Sequence, residues 1–266
     1  MAEPVSGSNS WILPDKLWDR MEKLLPKYKV SSKGGRPRVD LRKVANGIFY
    51  VLRTGCQWNA VPREFGSGST LHRYFQQWEK RGVFRRLWKS SLLEYDKLKS
   101  IQWNWQSVDG AMTKSPLGGG KYRKNPTDRG KLGTKGSVLT DARGVPVRVE
   151  VSGANTHDIK LLKATFDNMP IHRPQPTSRH QHVCLDKEYD SKTVRKFLER
   201  RHYKPHVKSC GAEEVQRKKN PRFKARRWVV ERTHSWINRF RRLLVRWEKK
   251  SENYLAMLQF SFAYTH

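Results

Sequence analysis

The sequence RWVVERTHSWINRFRRL, from Arg227 to Leu243, holds a single carboxylate within a strongly basic and strongly apolar stretch. At about 3.6 residues per turn, one stripe of side chains runs through this stretch and just beyond it: Val229, Thr233, Trp236, Phe240, Leu243 and Trp247. The opposite side carries Arg227, Glu231, His234, Asn238 and Arg241. The pattern predicts a firmly anchored helix that presents Glu231 among cations. Such a face is either a solvated surface crossed by salt bridges or a place where a metal ion is held beside a DNA phosphate.

The net charge of the chain points to a polyanionic partner. Its 266 residues include 55 Lys and Arg against 24 Asp and Glu, a formal charge of +31. An ordinary enzyme does not tolerate that self-repulsion without a partner of opposite charge, so nucleic acid is expected. Aromatic residues make up 11% of the chain, and disordered basic tails lack them. The chain is therefore expected to fold, and its length suits one large domain or two ordinary ones.

Cysteine usage and hydropathy indicate the compartment. The three cysteines, Cys56, Cys184 and Cys210, show no CxxC spacing, which argues against a disulfide framework and a zinc finger and fits a reducing cytosol. No N-terminal run resembles a signal peptide, and no apolar segment approaches the roughly 20 residues of a membrane span. The sequence thus predicts a soluble intracellular protein with no membrane partner.

The pattern of the chain changes near residue 100. We expect residues 1–13 to form a leader, residues 14–98 a helical domain and residues 103–266 an α/β domain. In the helical domain, the first helix opens at Pro14 and stops near Pro26, and the second ends at Gly55. Ser69 is expected to cap a third helix that stops at Gly82, and a fourth helix follows.

The second half mixes strands and helices. The predicted strands are Trp105–Asp109, Ser137–Asp141, Val145–Val151, His182–Leu185 and a short piece near Tyr203–Val207. The turn Asp141–Gly144 joins two of them into a hairpin. The predicted helices are His157–Phe166, Ser191–Arg201, the helix of Glu231 and a last one around Glu252–Tyr264. This order predicts a mixed α/β layout.

Two aspartates occupy positions that suit Glu231. Asp109 and Asp186 each end a predicted strand, and active sites of open α/β sheets gather at the carboxyl ends of strands. If those strands are adjacent, a third carboxylate from a crossing helix completes a site for two hard divalent cations. Taken singly, Asp109 also fits an ordinary turn before Gly110, and Asp186 fits a cap of the following helix.

Three segments in this order resemble a known family. They are SVDG at 107–110 with the stretch 130–158, LDKEYDS at 185–191, and the arginine-spaced stretch 227–243. Near the N-terminus, GRP at 35–37, GCQW at 55–58 and the stretch 65–78 add to them. The chain resembles a DDE transposase of a bacterial insertion sequence, in the branch named after insertion sequence five. The resemblance covers nearly the whole chain.

The resemblance implies a ribonuclease-H-like catalytic domain preceded by an all-helical, helix-turn-helix-like domain. It implies that Asp109, Asp186 and Glu231 are the catalytic and metal-binding triad, with two Mg²⁺ ions for which Mn²⁺ can substitute. Arg227, four residues before the glutamate, would contact DNA or steady the site.

The chain departs from the wider family pattern at three positions. Lys224 stands where that pattern has a tyrosine, and Asn238 stands where it has a lysine, so neither role is carried over. Neighbouring Arg239 can take the place of that lysine, and Arg242 is a further DNA contact in the same stretch. Glu188 stands where the family has a small residue, which puts an extra carboxylate near the expected metals.

Other basic and polar residues are predicted to contact DNA. His72, Arg73, Gln76 and Gln77 lie opposite the apolar stripe of their helix and could read base edges in a major groove; a solvated helix face is the alternative. Arg36 and Arg38 fit either a basic minor-groove arm or a flexible linker. In the basic loop, the expected clamps on a DNA backbone are Lys121, Arg123, Lys131 and Lys135.

The sequence therefore predicts a cytoplasmic, nucleoid-associated bacterial DNA transposase. It would bind the terminal inverted repeats of its element, cut a strand there and join it to target DNA, as a homodimer or larger assembly on double-stranded DNA. Two alternatives belong to other classes: a catalytically silent, transposase-derived DNA-binding protein, and a basic RNA-binding module.

Overall fold

The computed structural model describes residues 11–28, 38–124, 129–167, 170–174, 181–207 and 228–265. The N-terminal part is helical: α1 (Asp15–Glu22), α2 (Leu41–Thr54), α3 (Gly68–Lys80) and α4 (Val83–Lys99). Two short 3₁₀ turns, Trp58–Ala60 and Arg63–Phe65, connect α2 to α3. The predicted leader falls outside the described residues up to residue 10.

Local capping explains where these helices begin and end. The Asp40 carboxylate accepts a hydrogen bond from the Arg42 amide at 2.7 Å and starts α2, and Gly55 ends it in the left-handed conformation (φ 74°). Ser67, and not the predicted Ser69, caps α3, because its hydroxyl accepts from the Thr70 amide. The sequence predicts that α3 stops at Gly82, but α3 ends at Lys80. Gly82 instead stands directly before α4, in the left-handed conformation.

The second half contains a six-stranded sheet. Its strands are β1 (Trp105–Lys114), β2 (Arg123–Lys124), β3 (Leu132–Asp141), β4 (Pro146–Gly153), β5 (Gln181–Leu185) and β6 (Tyr203–Val207). Its helices are α5 (Asp158–Asp167), α6 (Lys192–Glu199), α7 (Trp228–Ile237), α8 (Arg241–Leu244) and α9 (Ser251–Tyr264). A 3₁₀ turn, Lys187–Tyr189, precedes α6.

The strand order is β2-β3-β1-β5-β6, with β4 also paired to β3. β3 pairs antiparallel with β1, β2 and β4, whereas β5 runs parallel to β1 and β6 runs parallel to β5. The predicted hairpin joins β3 to β4, and the Asp141 carboxylate holds it by accepting from the amides of Arg143 and Val145. The predicted fold class, a ribonuclease-H-like α/β sheet preceded by a helical region, is confirmed.

The sequence predicts that Asp109 ends its strand, but the structure shows that it does not. β1 continues for five residues beyond it, because antiparallel pairing with β3 runs from Gln106↔Asp141 to Lys114↔Gly133. Parallel pairing of β1 with β5 stops much earlier, at Ser107↔Cys184.

The helix of Glu231 is also shorter than predicted. α7 ends at Ile237, and Phe240 has extended backbone before the short helix α8. Phe240 is 2% exposed and packs against the guanidinium of Arg53 and the ring of Tyr264. The burial of Phe240 between these two side chains interrupts the helix. Trp247 therefore does not continue the apolar stripe of α7, and it is 44% exposed.

The last helix packs into the helical region. Phe260 of α9 contacts the rings of Phe49 and Phe84 at 5.7 and 5.2 Å, and Phe262 contacts Trp88 at 5.3 Å. The division at residues 98–103 stays a prediction, but the end of the second segment contributes to the core of the first. Within the described ranges, we find no helix with both the length and the apolar character needed to cross a membrane.

Candidate active site

Asp109 lies on β1, and Asp186 directly follows the neighbouring strand β5. The register pairs Ser107 of β1 with Cys184 of β5. Asp109 and Asp186 each follow two residues later and keep to the same face, because side chains alternate along a strand. Asp186 comes directly after β5 and keeps extended backbone (φ −73°, ψ 163°). The register therefore puts Asp109 and Asp186 at corresponding positions, two residues beyond the last pair of β1 with β5.

Both aspartates also bond to the backbone. One oxygen of Asp109 accepts from the Gly110 amide at 2.9 Å, and its other oxygen lies 3.7 Å from Nε2 of His234. Asp186 accepts from the Lys187 amide at 2.6 Å and caps the 3₁₀ turn that follows. Asp186 therefore caps this turn, which is one of the two roles that the sequence allows, and it also stands at the end of β5.

Helix α7 is fixed across β1 and β3. Three of its own side chains are buried: Val229, Val230 and Thr233. The Thr233 hydroxyl donates to the Gly144 carbonyl at 2.7 Å, and the guanidinium of Arg232 donates to the neighbouring Arg143 carbonyl. These contacts tie the helix to the β3–β4 hairpin and fix which of its sides faces the sheet.

Glu231 and His234 share one side of α7, because residues three apart on a helix are neighbours. Glu231 is exposed, whereas His234 is half-buried and reaches Asp109. Burial lowers the pKa of His234, and the nearby Glu231 carboxylate opposes that shift. His234 is the residue whose role the sequence did not reveal; its spacing from Glu231 was the available signal.

The donor set suits a hard cation, but the side chains do not yet surround one point. Within the described residues, no three His, Cys, Asp or Glu side chains are grouped closely enough to hold a metal ion. Asp109 and Asp186 turn toward backbone amides, and Glu231 faces outward. Mg²⁺ prefers carboxylate oxygens, and Nε2 of His234 is a buried atom with no hydrogen-bond partner in the described part of the chain. The carboxylates thus have the chemistry of Mg²⁺ ligands, but the described side chains do not form a metal site as they stand.

Three of the predicted DNA-contacting residues line a single cavity between the helical region and the segment after α8. They are His72, Gln76 and Arg242. Arg242 is nearly buried there and forms an ion pair with Glu248 at 2.7 Å. Its charge therefore acts inside the cavity wall rather than on the outer surface.

The remaining predicted contacts lie elsewhere. Exposed side chains are found at Arg38, Arg73, Gln77, Lys121, Arg123, Lys131 and Arg239. Among them, Arg38 lies over the Tyr28 ring at 4.4 Å, and Lys121 pairs with Glu150 at 3.4 Å. Lys135 is only 8% exposed within β3, so it is poorly placed to clamp DNA. Arg36 and Arg227 lie outside the described residues.

Comparisons with known proteins agree with this architecture. Residues 13–88 match the family described as "Putative transposase of IS4/5 family", and residues 105–265 match the family described as "Transposase DDE domain". A protein of Burkholderia cepacia described as "Putative transposase for insertion sequence element IS402" is 35% identical over 142 residues, 52% of this chain. The chain spans 65% of that protein's length. A second Burkholderia cepacia protein, the "Insertion element IS402 uncharacterized 16.2 kDa protein", is 33% identical over 43% of this chain and 81% of its own length.

Solved structures give a much looser likeness. The catalytic domain of Mos1 mariner transposase is 15% identical, with a TM-score of 0.27 over 68% of this chain and 88% of that chain. The Mos1 mariner paired end complex with Mn is 13% identical, with a TM-score of 0.29 over 93% of this chain and 83% of that chain. Overlaps this low carry no argument about the site. The two family matches, which together span the helical region and the sheet, show that the chain belongs to the DDE transposases of the IS4/5 family.

Proposed function

We propose that this transposase binds the terminal inverted repeats of its insertion sequence, cuts a DNA strand at each end and transfers that end to target DNA. The observation that supports the proposal is the parallel pairing of β1 with β5, because its last pair, Ser107 and Cys184, stands two residues before Asp109 and Asp186. Helix α7 crosses the same strand and brings the side shared by His234 and Glu231 to Asp109.

Asp109, Asp186 and Glu231 would hold two Mg²⁺ ions, for which Mn²⁺ can substitute. When bound, such ions activate the attacking oxygen of a phosphoryl transfer and stabilise the leaving oxygen. The three carboxylates supply hard oxygen ligands, and Asp109 would serve both ions. A lowered pKa keeps His234 neutral near pH 7, so it adds no positive charge to compete with the metals beside Asp109.

The reaction needs no covalent bond between protein and DNA. In the first step water attacks the phosphorus at the end of the element, the bond to the 3′ oxygen breaks, and a 3′-hydroxyl is freed. In the second step that hydroxyl attacks a target phosphodiester, and the target strand is released at its own 3′ oxygen. The number of phosphodiester bonds is conserved in this second step, so it requires no external energy source.

Basic residues would hold the DNA in register for both steps. The charge of +31 supplies a strong attraction for phosphates that does not depend on sequence. Exposed Arg38, Arg73, Arg123 and Lys131 are suited to phosphate contacts. Because two element ends must be joined together, we propose that the chain acts on DNA as a dimer or larger assembly.

The experiment is a strand-cleavage assay on a labelled duplex that carries the terminal repeat, with Mg²⁺ or Mn²⁺. Cleavage at the repeat end should be lost with Asp109→Asn, Asp186→Asn or Glu231→Gln, while repeat binding persists. Asp190→Asn is the matched control, because Asp190 follows the same strand but forms an exposed ion pair with Arg195. Tight binding without any cut by the native chain would instead indicate a catalytically silent DNA-binding protein. A preference for RNA would contradict both.

A further inference from the structure

A pocket of about 510 Å³ opens on the other side of the sheet from the active-site carboxylates, within the size range of ligand sites. It lies between α4, the end of α5 and the start of β6. The lining residues that matter for its chemistry are Lys89, Phe166, Asp167, Arg173, Arg201 and Tyr203. We call it the arginine pocket.

The strand register assigns this pocket to the face away from the carboxylates. Tyr203 pairs with Gln181 of β5, which is an odd number of residues from Cys184. Their side chains therefore point away from the face that Cys184 shares with Asp109. The Tyr203 hydroxyl donates to Oε1 of Gln106 at 3.0 Å and so lies across that other face. The sheet itself separates a ligand in the pocket from the carboxylates.

Arg148 brings a buried charge to the same face. Its partner in β3, Leu139, pairs in turn with Val108, and Val108 points away from the side of Asp109. Arg148 is 1% exposed, and its Nε, Nη1 and Nη2 have no hydrogen-bond partner in the parts of the chain that the structure describes. Burial lowers the pKa of Arg148 to about 10, so the guanidinium still carries its charge near pH 7.

The acids near Arg148 are already paired with other cations. Asp167 pairs with Arg201 at 2.6 Å, and Glu150 pairs with Lys121 at 3.4 Å. The charges of both carboxylates oppose the effect of burial on Arg148, and because Asp167 lines the pocket, the buried guanidinium lies beside it. A buried charge without hydrogen bonds costs folding free energy, so an oxyanion bound next to Arg148 would offset a cost that the fold otherwise carries.

A second guanidinium in the pocket has a donor to spare. Arg173 lies over the Tyr203 ring at 4.2 Å, and its Nη2 donates to the Arg201 carbonyl at 2.8 Å. Its Nη1 is buried and has no hydrogen-bond partner among the described residues. The ring and the carbonyl hold this guanidinium in place, so a ligand that accepts from Nη1 would not have to order the side chain first.

The charges around the pocket select an anion. Among the described residues, four cations lie in it or beside it: Lys89, Arg148, Arg173 and Arg201. Asp167 is the one acid among the described lining residues. Guanidinium groups match the spacing of phosphate oxygens and bind them through paired hydrogen bonds. A terminal phosphate group carries roughly 1.5 to 2 negative charges near pH 7, so it suits this surplus of cations better than a carboxylate does.

We propose that the arginine pocket binds a terminal phosphate group, which accepts hydrogen bonds from Arg148 and Arg173 and pairs with Lys89. A small phosphorylated molecule and the 5′-phosphate of a DNA strand both present this group. The site is separate from the one proposed for catalysis, because the sheet lies between them. The inference therefore does not rest on the proposed function.

The test is isothermal titration calorimetry of pyrophosphate into the full chain, without divalent metal and in about 0.15 M NaCl, which screens exposed charges. The native chain should bind pyrophosphate, and succinate should bind at least about tenfold more weakly. Lys89→Gln should weaken pyrophosphate binding about threefold or more, because it removes one pairing charge. Lys97→Gln is the matched control, since Lys97 is an exposed lysine of the same helix outside the pocket lining.

Arg148→Met separates a ligand site from a structural role. Methionine fills much of the same space without a charge, so this variant should unfold at the native urea concentration or a higher one. It should also bind pyrophosphate at least about tenfold more weakly than the native chain. A loss of stability in Arg148→Met together with native pyrophosphate affinity in Lys89→Gln would show that the arginine is structural and would overturn the inference.

Three further results would overturn it. They are native pyrophosphate affinity in both pocket variants, an equal loss in Lys97→Gln, and equal affinities of the native chain for succinate and pyrophosphate.

The same titration with a duplex of the element's terminal sequence present identifies the source of the phosphate. Unchanged pyrophosphate binding, with the duplex carrying either a 5′-phosphate or a 5′-hydroxyl, would assign the pocket to a small phosphorylated molecule. Competition by the 5′-phosphorylated duplex alone would assign it to a strand end. Equal competition by both duplexes would mean that backbone phosphates fill the pocket, which contradicts a site for a terminal phosphate.

Discussion

Arg242 and Glu248 form an ion pair almost removed from solvent, with side-chain exposures of 7% and 4%. Arg242 also donates to the Cys56 carbonyl at 3.1 Å, so it joins α8 to the end of α2. Two buried charges stabilise a fold only as a pair, because each alone would face a low-dielectric interior. At the scale of single residues, this pair holds one wall of the cavity.

Removing one partner should therefore cost more than removing both. We expect Glu248→Ala to lower the free energy of unfolding by about 3–5 kcal/mol, and Arg242→Met with Glu248→Leu to lose less than that. Urea denaturation followed by circular dichroism measures both. The exposed pair of Asp190 and Arg195 serves as the control, since Asp190→Ala should cost about 1 kcal/mol or less. Equal losses for the buried and exposed pairs would contradict this account.

His72 makes stability depend on pH. Burial lowers its pKa below 6.5, with Glu248 opposing the shift and Arg242 and Lys250 adding to it. Between the folded pKa and 6.5, the unfolded chain binds the proton and the folded chain does not, so stability falls as pH falls through that window. His72→Gln should lose less stability than the native chain between pH 7.5 and 5.5. Parallel urea curves at the two pH values test it, and identical losses would show that His72 does not titrate in this way.

At the scale of elements, local signals were readable from the sequence and long-range ones were not. Gly55 ends α2 where a glycine is expected, and β5 ends just before Asp186 as its apolar run predicts. The length of β1 depends on pairing with β3, and the break before α8 depends on burying Phe240 against a distant helix. The contact of His234 with Asp109 likewise needs α7 to cross the sheet. Partners far apart in sequence leave no local pattern.

The cap of α3 gives a prediction at this scale. Ser67→Ala should lower the free energy of unfolding by about 1 kcal/mol, because the Thr70 amide loses its acceptor. Ser69→Ala should change it by a few tenths at most, since Ser69 lies within the first turn and does not cap it. The urea concentrations at which the Ser67→Ala and Ser69→Ala variants are half unfolded test this difference. A larger loss in Ser69→Ala than in Ser67→Ala would show that Ser69, and not Ser67, caps α3.

At the scale of the whole molecule, the helical region and the sheet are joined through α9. Phe260 is fully buried, and its ring lies against Phe49 of α2 and Phe84 of α4. The hydroxyl of Ser91 in α4 also donates to the Ala263 carbonyl at 3.2 Å. The region that precedes the sheet in sequence therefore depends on the last helix for its core.

Phe260→Ala should lower the free energy of unfolding by about 3–5 kcal/mol, because it opens a cavity among these aromatic rings. Signals from the helical region and from the sheet should shift to the same lower urea concentration. Leu98→Ala is a control for the loss of apolar volume alone, since Leu98 is 74% exposed. Separate transitions for the two regions would show that they fold independently.

The central claim is that Asp109, Asp186 and Glu231 act as one metal site. The most direct measurement is Mn²⁺ binding by electron paramagnetic resonance, with the terminal-repeat duplex present. We predict that Asp109→Asn, Asp186→Asn and Glu231→Gln each weaken Mn²⁺ binding by at least about tenfold, because each removes a hard oxygen ligand. Glu188→Gln, an exposed acid in the turn after Asp186, should leave it unchanged. Native Mn²⁺ affinity in Glu231→Gln, with binding lost in Glu188→Gln, would contradict the claim.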